Sequence, residues 1–259
     1  IKKKEDDKIP YKANGKKMQD FIGVRIVTYF YEDEELLRDF FQEKFPDYKF
    51  EKQETGETIF EPQRRNLVCR LSRISPEADK TFEELAPTLN HYELMDATFE
   101  LQLRTVFSEG WHEVEHDLRY KCKEDWEGCE SYSRVLNGVI ATLETAEWNM
   151  KSLFDQMART NFMNKNYRAM IRNKMHLRIK GEDLSANVHE FLLQNPCLAE
   201  SVLNADRFVI LLTLLNHQKP IELTYDSLLF LINRIEMGNQ DLRNMEPENI
   251  RIMLDEFFS

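Results

Sequence analysis

Hydrophobic and polar residues follow a mixed pattern in the first half of the chain and a helical pattern in the second half. An apolar, β-branched run at Gly23–Tyr31 predicts a buried strand, and alternation at Asn66–Ile74 and Thr98–Thr105 predicts two more. Amphipathic helices are predicted at Asp33–Phe45 and, directly after the third strand, at Val106–Lys123. Strands and helices mixed in this way predict an α+β fold.

After Ser131 the pattern is helical throughout. Apolar residues recur there at spacings of three and four, in a seam that consists of Val139, Leu143, Ala146, Met150, Leu153 and Met157. Such a seam needs a partner helix, either from the same chain or from a second copy in a homo-oligomer. Further helices are predicted at Tyr167–Lys180, Leu184–Gln194, Ala199–Asn216, Thr224–Glu236 and Pro247–Phe258.

These patterns divide the chain into three parts. We predict a mixed domain at residues 1–130, a long connecting helix at 131–160 and a helical accessory domain at 161–259. The chain opens with Ile1 and a lysine-rich segment rather than with methionine, so we expect a truncated N-terminus.

Composition narrows the class of protein. The 259 residues are 42% hydrophobic and 31% charged, which is ordinary for a globular protein. No apolar run reaches the roughly 20 residues of a membrane helix, and no signal-peptide pattern opens the chain. The four cysteines form no C-x-x-C pair, so we expect reduced thiols in a cytoplasmic protein. A net charge of −11 argues against broad, nonspecific binding to nucleic acid or to an anionic membrane.

The strand at Thr98–Thr105 carries the most informative polar face. Glu100, Gln102 and Arg104 alternate with apolar residues, so they project a carboxylate, an amide and a guanidinium from the same side of the strand. Taken alone, such a triple is also typical of a half-exposed sheet face.

Two ordered motifs make this pattern specific. The strand reads E-x-Q-x-R-T, and it is followed by Trp111 and by a helix that reads E-x-x-H-x-x-x-Y-K, formed by Glu113, His116, Tyr120 and Lys121. An earlier segment reads D-x-x-G-x-R, formed by Asp20, Gly23 and Arg25. Together the motifs resemble the synthetase domain of RelA/SpoT proteins, the (p)ppGpp synthetase or GTP pyrophosphokinase family, over roughly residues 1–125.

The resemblance implies a nucleotidyltransferase-like fold, with a mixed sheet of about five strands flanked by helices and followed by an all-helical C-terminal region. It implies that Asp20 and Glu100 hold Mg²⁺ and that ATP is the pyrophosphate donor. Glu100 would also deprotonate the acceptor hydroxyl, and Gln102 would orient the reacting groups.

The remaining residues assigned by the resemblance are basic or aromatic. The charge of the polyphosphate would be balanced by Arg25, Arg104 and Lys121. His116 lies on the same helix as Lys121 and would also contact the nucleotide. For Arg25 and Arg104, salt bridges to nearby carboxylates are the alternative interpretation.

The chain departs from the family pattern in two places. The family's ATP-binding basic residues lie upstream of D-x-x-G-x-R, where only a few lysines remain in this chain, and we assign Lys3 and Lys4 to that role. The family's acceptor motif resembles P-K-x-N-G-Y-R-S-x-H, and its tyrosine stacks on guanine.

Aligned from Pro62, this chain has Asn66 at the glycine of the acceptor motif and Leu67 at the tyrosine. Arg64 keeps the segment basic and could face a phosphate. The stacking ring is missing there, although another aromatic residue could replace it: Tyr48, Phe60 or Tyr92.

The resemblance predicts an ATP-dependent pyrophosphokinase that acts on GDP or GTP. Two alternatives remain: a variant that pyrophosphorylates the 3′ end of tRNA, and a catalytically degenerate module that senses nucleotides or binds partners. A third reading comes from His112–His116, which spells H-E-x-x-H, the zinc-protease signature. That reading explains neither the preceding strand nor the trailing Tyr-Lys pair, and it lacks a marked third ligand.

Overall fold

The computed structural model describes residues 11–12, 14–45, 49–50, 65–70, 77–88, 92–181, 183–217 and 221–259. The chain forms two compact units, Ile1–Glu147 and Trp148–Ser259. The first unit mixes helices with a β-sheet and the second is helical, so the predicted α+β class with a helical C-terminal region is confirmed. The predicted three-part division, with its connecting helix at 131–160, stays a prediction.

The sheet of the first unit has four strands among the described residues, one fewer than the roughly five that the family resemblance implied. The strands are β1 (Ile22–Thr28), β2 (Lys49–Phe50), β3 (Arg65–Arg70) and β4 (Thr98–Thr105), in the order β1-β4-β3-β2. β4 pairs in parallel with β1 and antiparallel with β3, so the strand that carries E-x-Q-x-R-T is central.

β1 lies at an edge of the sheet that the described strands form, which corrects the prediction of a buried strand. Its neighbour among the described strands is β4, and Ile22, Val24 and Val27 are 38–46% exposed. A β-branched run favours extended backbone wherever it occurs, so the sequence could not tell an edge strand from a central one.

The helices of the first unit cover the sheet and join its strands. They are α1 (Tyr31–Lys44), α2 (Ala78–Leu85) and α3 (Val106–Glu115), followed by a π-helical turn at His116–Tyr120 and the start of α4 (Glu130–Met163). α1 packs on the apolar face of the sheet, where the rings of Phe45 and Phe99 meet edge to face with centroids 5.9 Å apart. The opposite face of β4 is therefore left for its polar side chains.

The second unit is built around one apolar core of its own, which includes Tyr167, Met170, Leu192, Ile210 and Phe230. After the C-terminal part of α4 its helices are α5 (Tyr167–Met175), α6 (Ala186–Gln194), α7 (Pro196–Asn204), α8 (Arg207–Asn216), α9 (Tyr225–Ile232), α10 (Gln240–Asn244) and α11 (Glu248–Phe257).

Two of the predicted helices are wrong in extent. The helix predicted at Ala199–Asn216 is broken in two, because the Asp206 side chain accepts hydrogen bonds from the backbone N–H groups of Phe208 and Val209 and starts α8. The helix predicted at Tyr167–Lys180 ends at Met175, because His176 takes a left-handed conformation with φ of 51°.

The apolar seam of α4 is largely exposed. Val139, Met150, Leu153 and Met157 are between 36% and 54% exposed. Pairing of this seam with another helix or with a second copy stays a prediction. No helix in the described part of the chain is long and apolar enough to span a membrane.

Candidate functional site

Strand register brings three polar residues into one row across the sheet. Gln102 on the central strand β4 lies opposite Arg25 of β1 on one side and opposite Asn66 of β3 on the other. Side chains on one strand alternate between faces, so Glu100 and Arg104 flank this row on the same face.

Both oxygens of the Glu100 carboxylate accept a hydrogen bond from an amide. Asn66 Nδ2 donates to Oε1 over 2.9 Å, and Gln102 Nε2 donates to Oε2 over 2.7 Å. A carboxylate offers about four lone-pair sites, so each oxygen keeps capacity for a cation or a proton. Glu100 is therefore held in one orientation without being saturated.

Arg104 is buried next to this carboxylate. Its Nη2 donates to Asn66 Oδ1 over 2.9 Å and its Nη1 donates to the backbone oxygen of Leu103 over 2.7 Å, while only 5% of the residue is exposed. Asn66 thus stands between a guanidinium and the Glu100 carboxylate.

Arg25 lies at the other end of the row. Its Nε donates to Gln102 Oε1 over 2.9 Å, and its Nη1 contacts the carboxylates of Glu109 and of Glu113, the latter over 2.7 Å. The hydrogen bond that Arg25 donates to Glu113, together with the Glu109 carboxylate, raises the pKa of Arg25, and the same hydrogen bond lowers the pKa of Glu113. The salt-bridge interpretation therefore describes Arg25 in this structure, where it also touches the site residue Gln102.

Helix α3 supplies these two carboxylates because its start is held on the end of β4. Thr105 caps the helix, with its side chain accepting from the Ser108 N–H and the Ser108 hydroxyl accepting from the Thr105 N–H. Trp111 is buried and donates from Nε1 to the backbone oxygen of Leu136 on α4 over 2.9 Å. The motif tryptophan therefore fixes α3 against α4.

Two buried acids lie close behind Arg104. Glu34 and Glu147 are each 6% exposed and border a small cavity with Arg104, Trp111 and His112. Burial raises the pKa of Glu34 to about 8, although the charge of Arg104 opposes the shift. Burial also raises the pKa of Glu147.

Asp20 lies next to β1, upstream of the row. Asp20 lies between the bridge Met18–Met95 and the first strand pair, Ile22–Phe99, three residues before Gly23, which is the partner of Glu100 on β1. One ion could contact both carboxylates only if the two side chains extend towards each other.

The donor set suits a magnesium ion that is completed by phosphates. No cluster of three or more His, Cys, Asp or Glu side chains that could hold a metal occurs in the parts of the chain that the structure describes. Mg²⁺ at nucleotide sites takes one or two carboxylates, with phosphate oxygens and waters as its other ligands. Asp20 and Glu100 would supply that number of carboxylates if both reached one ion.

The two other predicted nucleotide-binding residues of the helix lie outside the hydrogen-bonded row. His116 stacks on Tyr120 with ring centroids 5.4 Å apart, and Lys121 is paired with Asp117 at 2.6 Å. The hydrogen bond that Lys121 donates to Asp117 raises the pKa of Lys121. Of the predicted basic residues, Lys3, Lys4 and Arg64 lie outside the described residues.

Leu67, at the position of the family's guanine-stacking tyrosine, is a core residue. It is fully buried on the apolar face of the sheet with Phe99 and Leu101. Its neighbour Asn66 points to the opposite face, where it contacts Glu100. In this chain β3 therefore presents an amide to the site, and no ring.

The sequence did not predict a role for four residues of this region: Asn66, Glu109, Glu34 and Glu147. The alignment places Asn66 at the family's glycine, and that substitution was the only signal for it. The other three are single acids on helices, which are too common on solvated faces to attract attention.

One comparison with known proteins gives a match. Residues 1–125 match a family model described as "Region found in RelA / SpoT proteins". No curated protein and no solved structure matches the chain. The matched residues contain both sequence motifs and all four strands described above. Residues 1–125 of this chain therefore form a RelA/SpoT-type domain.

Proposed function

We propose that the RelA/SpoT domain transfers the β,γ-pyrophosphate of ATP to the 3′-hydroxyl of a nucleotide. One observation carries the proposal: the Glu100 carboxylate is held at both oxygens, on the face of the sheet that also carries Arg25 and Arg104. An oriented carboxylate next to fixed cations is what deprotonation of a hydroxyl beside a polyphosphate needs.

The transfer requires one proton movement and one exchange of bonds at phosphorus. Glu100 accepts the proton of the 3′-hydroxyl, and the hydroxyl oxygen forms a bond to the β-phosphorus of ATP. The bond from that phosphorus to the oxygen bridging the α-phosphate breaks, and AMP leaves with the electron pair. Arg25 and Arg104 offset the phosphate charge, and Mg²⁺ held by Asp20 and Glu100 would supply further neutralisation.

GDP or GTP is the acceptor by family resemblance, and (p)ppGpp would be the product. The burial of Leu67 supports a second candidate acceptor, because the ring that stacks on guanine in the family is absent from β3. The terminal ribose of tRNA offers the same hydroxyl chemistry without depending on that ring. The alternative that is not an enzyme is a module that binds nucleotides without converting them.

A transfer assay on the full chain tests the proposal. The protein is incubated with γ-labelled ATP, Mg²⁺ and, separately, GDP, GTP, ADP or bulk tRNA. Glu100→Gln removes the proton acceptor but keeps the shape of the side chain. Glu84→Gln, an exposed acid on α2, is the matched control.

We expect label on one acceptor, with release of AMP rather than ADP, in the wild type and in Glu84→Gln. Glu100→Gln should lose at least about 100-fold in rate, the usual order for loss of a general base. Label on GDP or GTP supports the default acceptor, and label on tRNA supports the second candidate. Nucleotide binding without any transfer would refute the enzymatic proposal in favour of the sensing module.

A further inference from the structure

We propose that Asn66 is a positioning residue that orients the Glu100 carboxylate for its metal ion and for the acceptor hydroxyl. This inference rests on the proposed function of the same site. Its basis is the pair of hydrogen bonds by which the Asn66 amide joins Glu100 to Arg104.

Chemistry allows the amide only one orientation. Arg104 can only donate hydrogen bonds, so the oxygen of Asn66 must face it, and an ionised Glu100 can only accept, so the nitrogen of Asn66 must face that carboxylate. Exchanging the two atoms would place donor against donor and acceptor against acceptor. The buried Arg104 therefore fixes the direction in which Asn66 donates to Glu100.

The surroundings leave Asn66 little freedom. It is 7% exposed, and it lies directly opposite Gln102 in the antiparallel pair of β3 and β4. Its neighbour Leu67 is fully buried on the other face and anchors the strand there. Since Gln102 holds the second carboxylate oxygen, the two amides set the plane of the Glu100 carboxylate between them.

Asn66 is a hydrogen-bond partner of a carboxylate that the proposed function assigns to the metal. Loss of an outer-shell partner of a metal-binding carboxylate typically weakens metal affinity or activity about 10- to 100-fold. The same range is expected for Asn66.

Two substitutions distinguish the effect of Asn66 on the orientation of Glu100 from its effect as a hydrogen-bond acceptor for Arg104. Asn66→Leu keeps the number of side-chain heavy atoms and the branch at Cγ, and it removes both hydrogen bonds. Asn66→Asp is nearly the same shape and keeps an acceptor for Arg104, but it cannot donate to Glu100. Asn137 provides the matched control, because its Oδ1 also accepts from an arginine, Arg119, over 2.8 Å and lies on α4 outside the row.

The experiment measures two quantities on the full chain and these variants. Binding of Mn²⁺ alone, followed by electron paramagnetic resonance, is compared between wild type, Asn66→Leu and Asn137→Leu. The kcat and KM for pyrophosphate transfer are compared between wild type, Asn66→Asp and Asn137→Asp. Thermal unfolding of every variant verifies that it is folded.

We expect Asn66→Leu to weaken Mn²⁺ binding, and Asn66→Asp to lower kcat with little change in the KM for ATP, each by about 10- to 100-fold. Both Asn137 variants should match the wild type. Wild-type kcat in Asn66→Asp would overturn the inference, because support of Arg104 alone would then suffice. Unchanged Mn²⁺ binding in Asn66→Leu, or no Mn²⁺ binding by the wild type, would also overturn it.

The two proposals can fail separately. If the wild type transfers no pyrophosphate but Asn66→Leu still weakens Mn²⁺ binding, the proposed function is refuted and the positioning role is supported. If the wild type transfers pyrophosphate, Asn66→Leu binds Mn²⁺ as the wild type does and Asn66→Asp has the wild-type kcat, the positioning role alone is refuted.

Discussion

Thr105 Oγ1 donates a hydrogen bond to Glu147 Oε2 over 3.0 Å, and both side chains are buried. The other oxygen of Glu147 accepts from the backbone N–H of Tyr31 at the start of α1. One carboxylate on α4 therefore holds the end of β4 and the beginning of α1, beyond the segment of β4 that carries Glu100.

Glu147→Leu should destabilise the protein. It leaves the Tyr31 N–H and the Thr105 hydroxyl buried without this acceptor, which is expected to lower the free energy of unfolding by about 2–4 kcal/mol. Urea denaturation measures the change, and Glu144→Leu, at an exposed acid on the same helix, is the control. Equal stability of the two variants would contradict the anchoring role of Glu147.

Glu34 should make stability depend on pH. Its pKa is about 8 in the folded protein, against an ordinary value of 4.5, and the charges that act on it belong to Arg104, Glu147, Arg38 and Glu35. Between these pH values the unfolded chain releases the proton and the folded chain retains it. The contribution of Glu34 to the free energy of unfolding is therefore complete below pH 4.5. It falls by about 1.4 kcal/mol per pH unit as the pH rises, and levels off above the folded pKa.

Glu34→Gln removes this dependence, because the amide stays neutral. We expect the variant to match the wild type near pH 4.5 and to be the more stable protein at about pH 8. Urea denaturation across this range measures the difference. Stability curves that run parallel from the acidic to the alkaline end would show that Glu34 does not titrate in this way.

Arg25→Leu should reduce transfer far more than stability. Arg25 has 36% of its side chain exposed, and exposed ion pairs contribute about 0–1 kcal/mol, so the melting temperature should change little. Loss of a cation beside the polyphosphate should lower the transfer rate about 100-fold. Glu113→Gln, which leaves Arg25 paired with Glu109, should retain most activity. Similar transfer rates in Arg25→Leu and Glu113→Gln would show that Arg25 takes no part in the reaction.

Leu67→Tyr should not restore guanine recognition, although it reinstates the family's residue. The side chain of Leu67 points into the core, so the larger ring should overpack it and destabilise the protein by about 1–3 kcal/mol. Leu67→Met should be nearly neutral. Calorimetric binding of GDP and thermal unfolding measure the two effects. Tighter GDP binding by the tyrosine variant would show that this position reaches the acceptor.

Dialysed protein should contain far less than one zinc per chain. The H-E-x-x-H helix would need Glu113 as a general base, yet Glu113 is engaged by Arg25 at 2.7 Å and its pKa is lowered by that hydrogen bond. Elemental analysis of wild type and of His112→Ala measures the metal. Stoichiometric zinc that is lost in His112→Ala would favour the protease signature over the synthetase motifs.

Local pattern in the sequence was enough for the strand that carries the site. Alternation at Thr98–Thr105 gave the bounds of β4 and the shared face of Glu100, Gln102 and Arg104, because side-chain direction in a strand depends only on residue parity. The family assignment likewise followed from two local motifs.

Tertiary structure decided which partners these side chains have. Asn66 is 34 residues from Glu100, and Glu109 is 84 residues from Arg25, so only strand order and register bring each pair together. The edge position of β1 and the burial of Leu67 depend on which strands and helices pack alongside them, and no local pattern encodes that choice. The sequence alone determined the strand that carries Glu100, and the fold decided that the amide of Asn66 donates a hydrogen bond to its carboxylate.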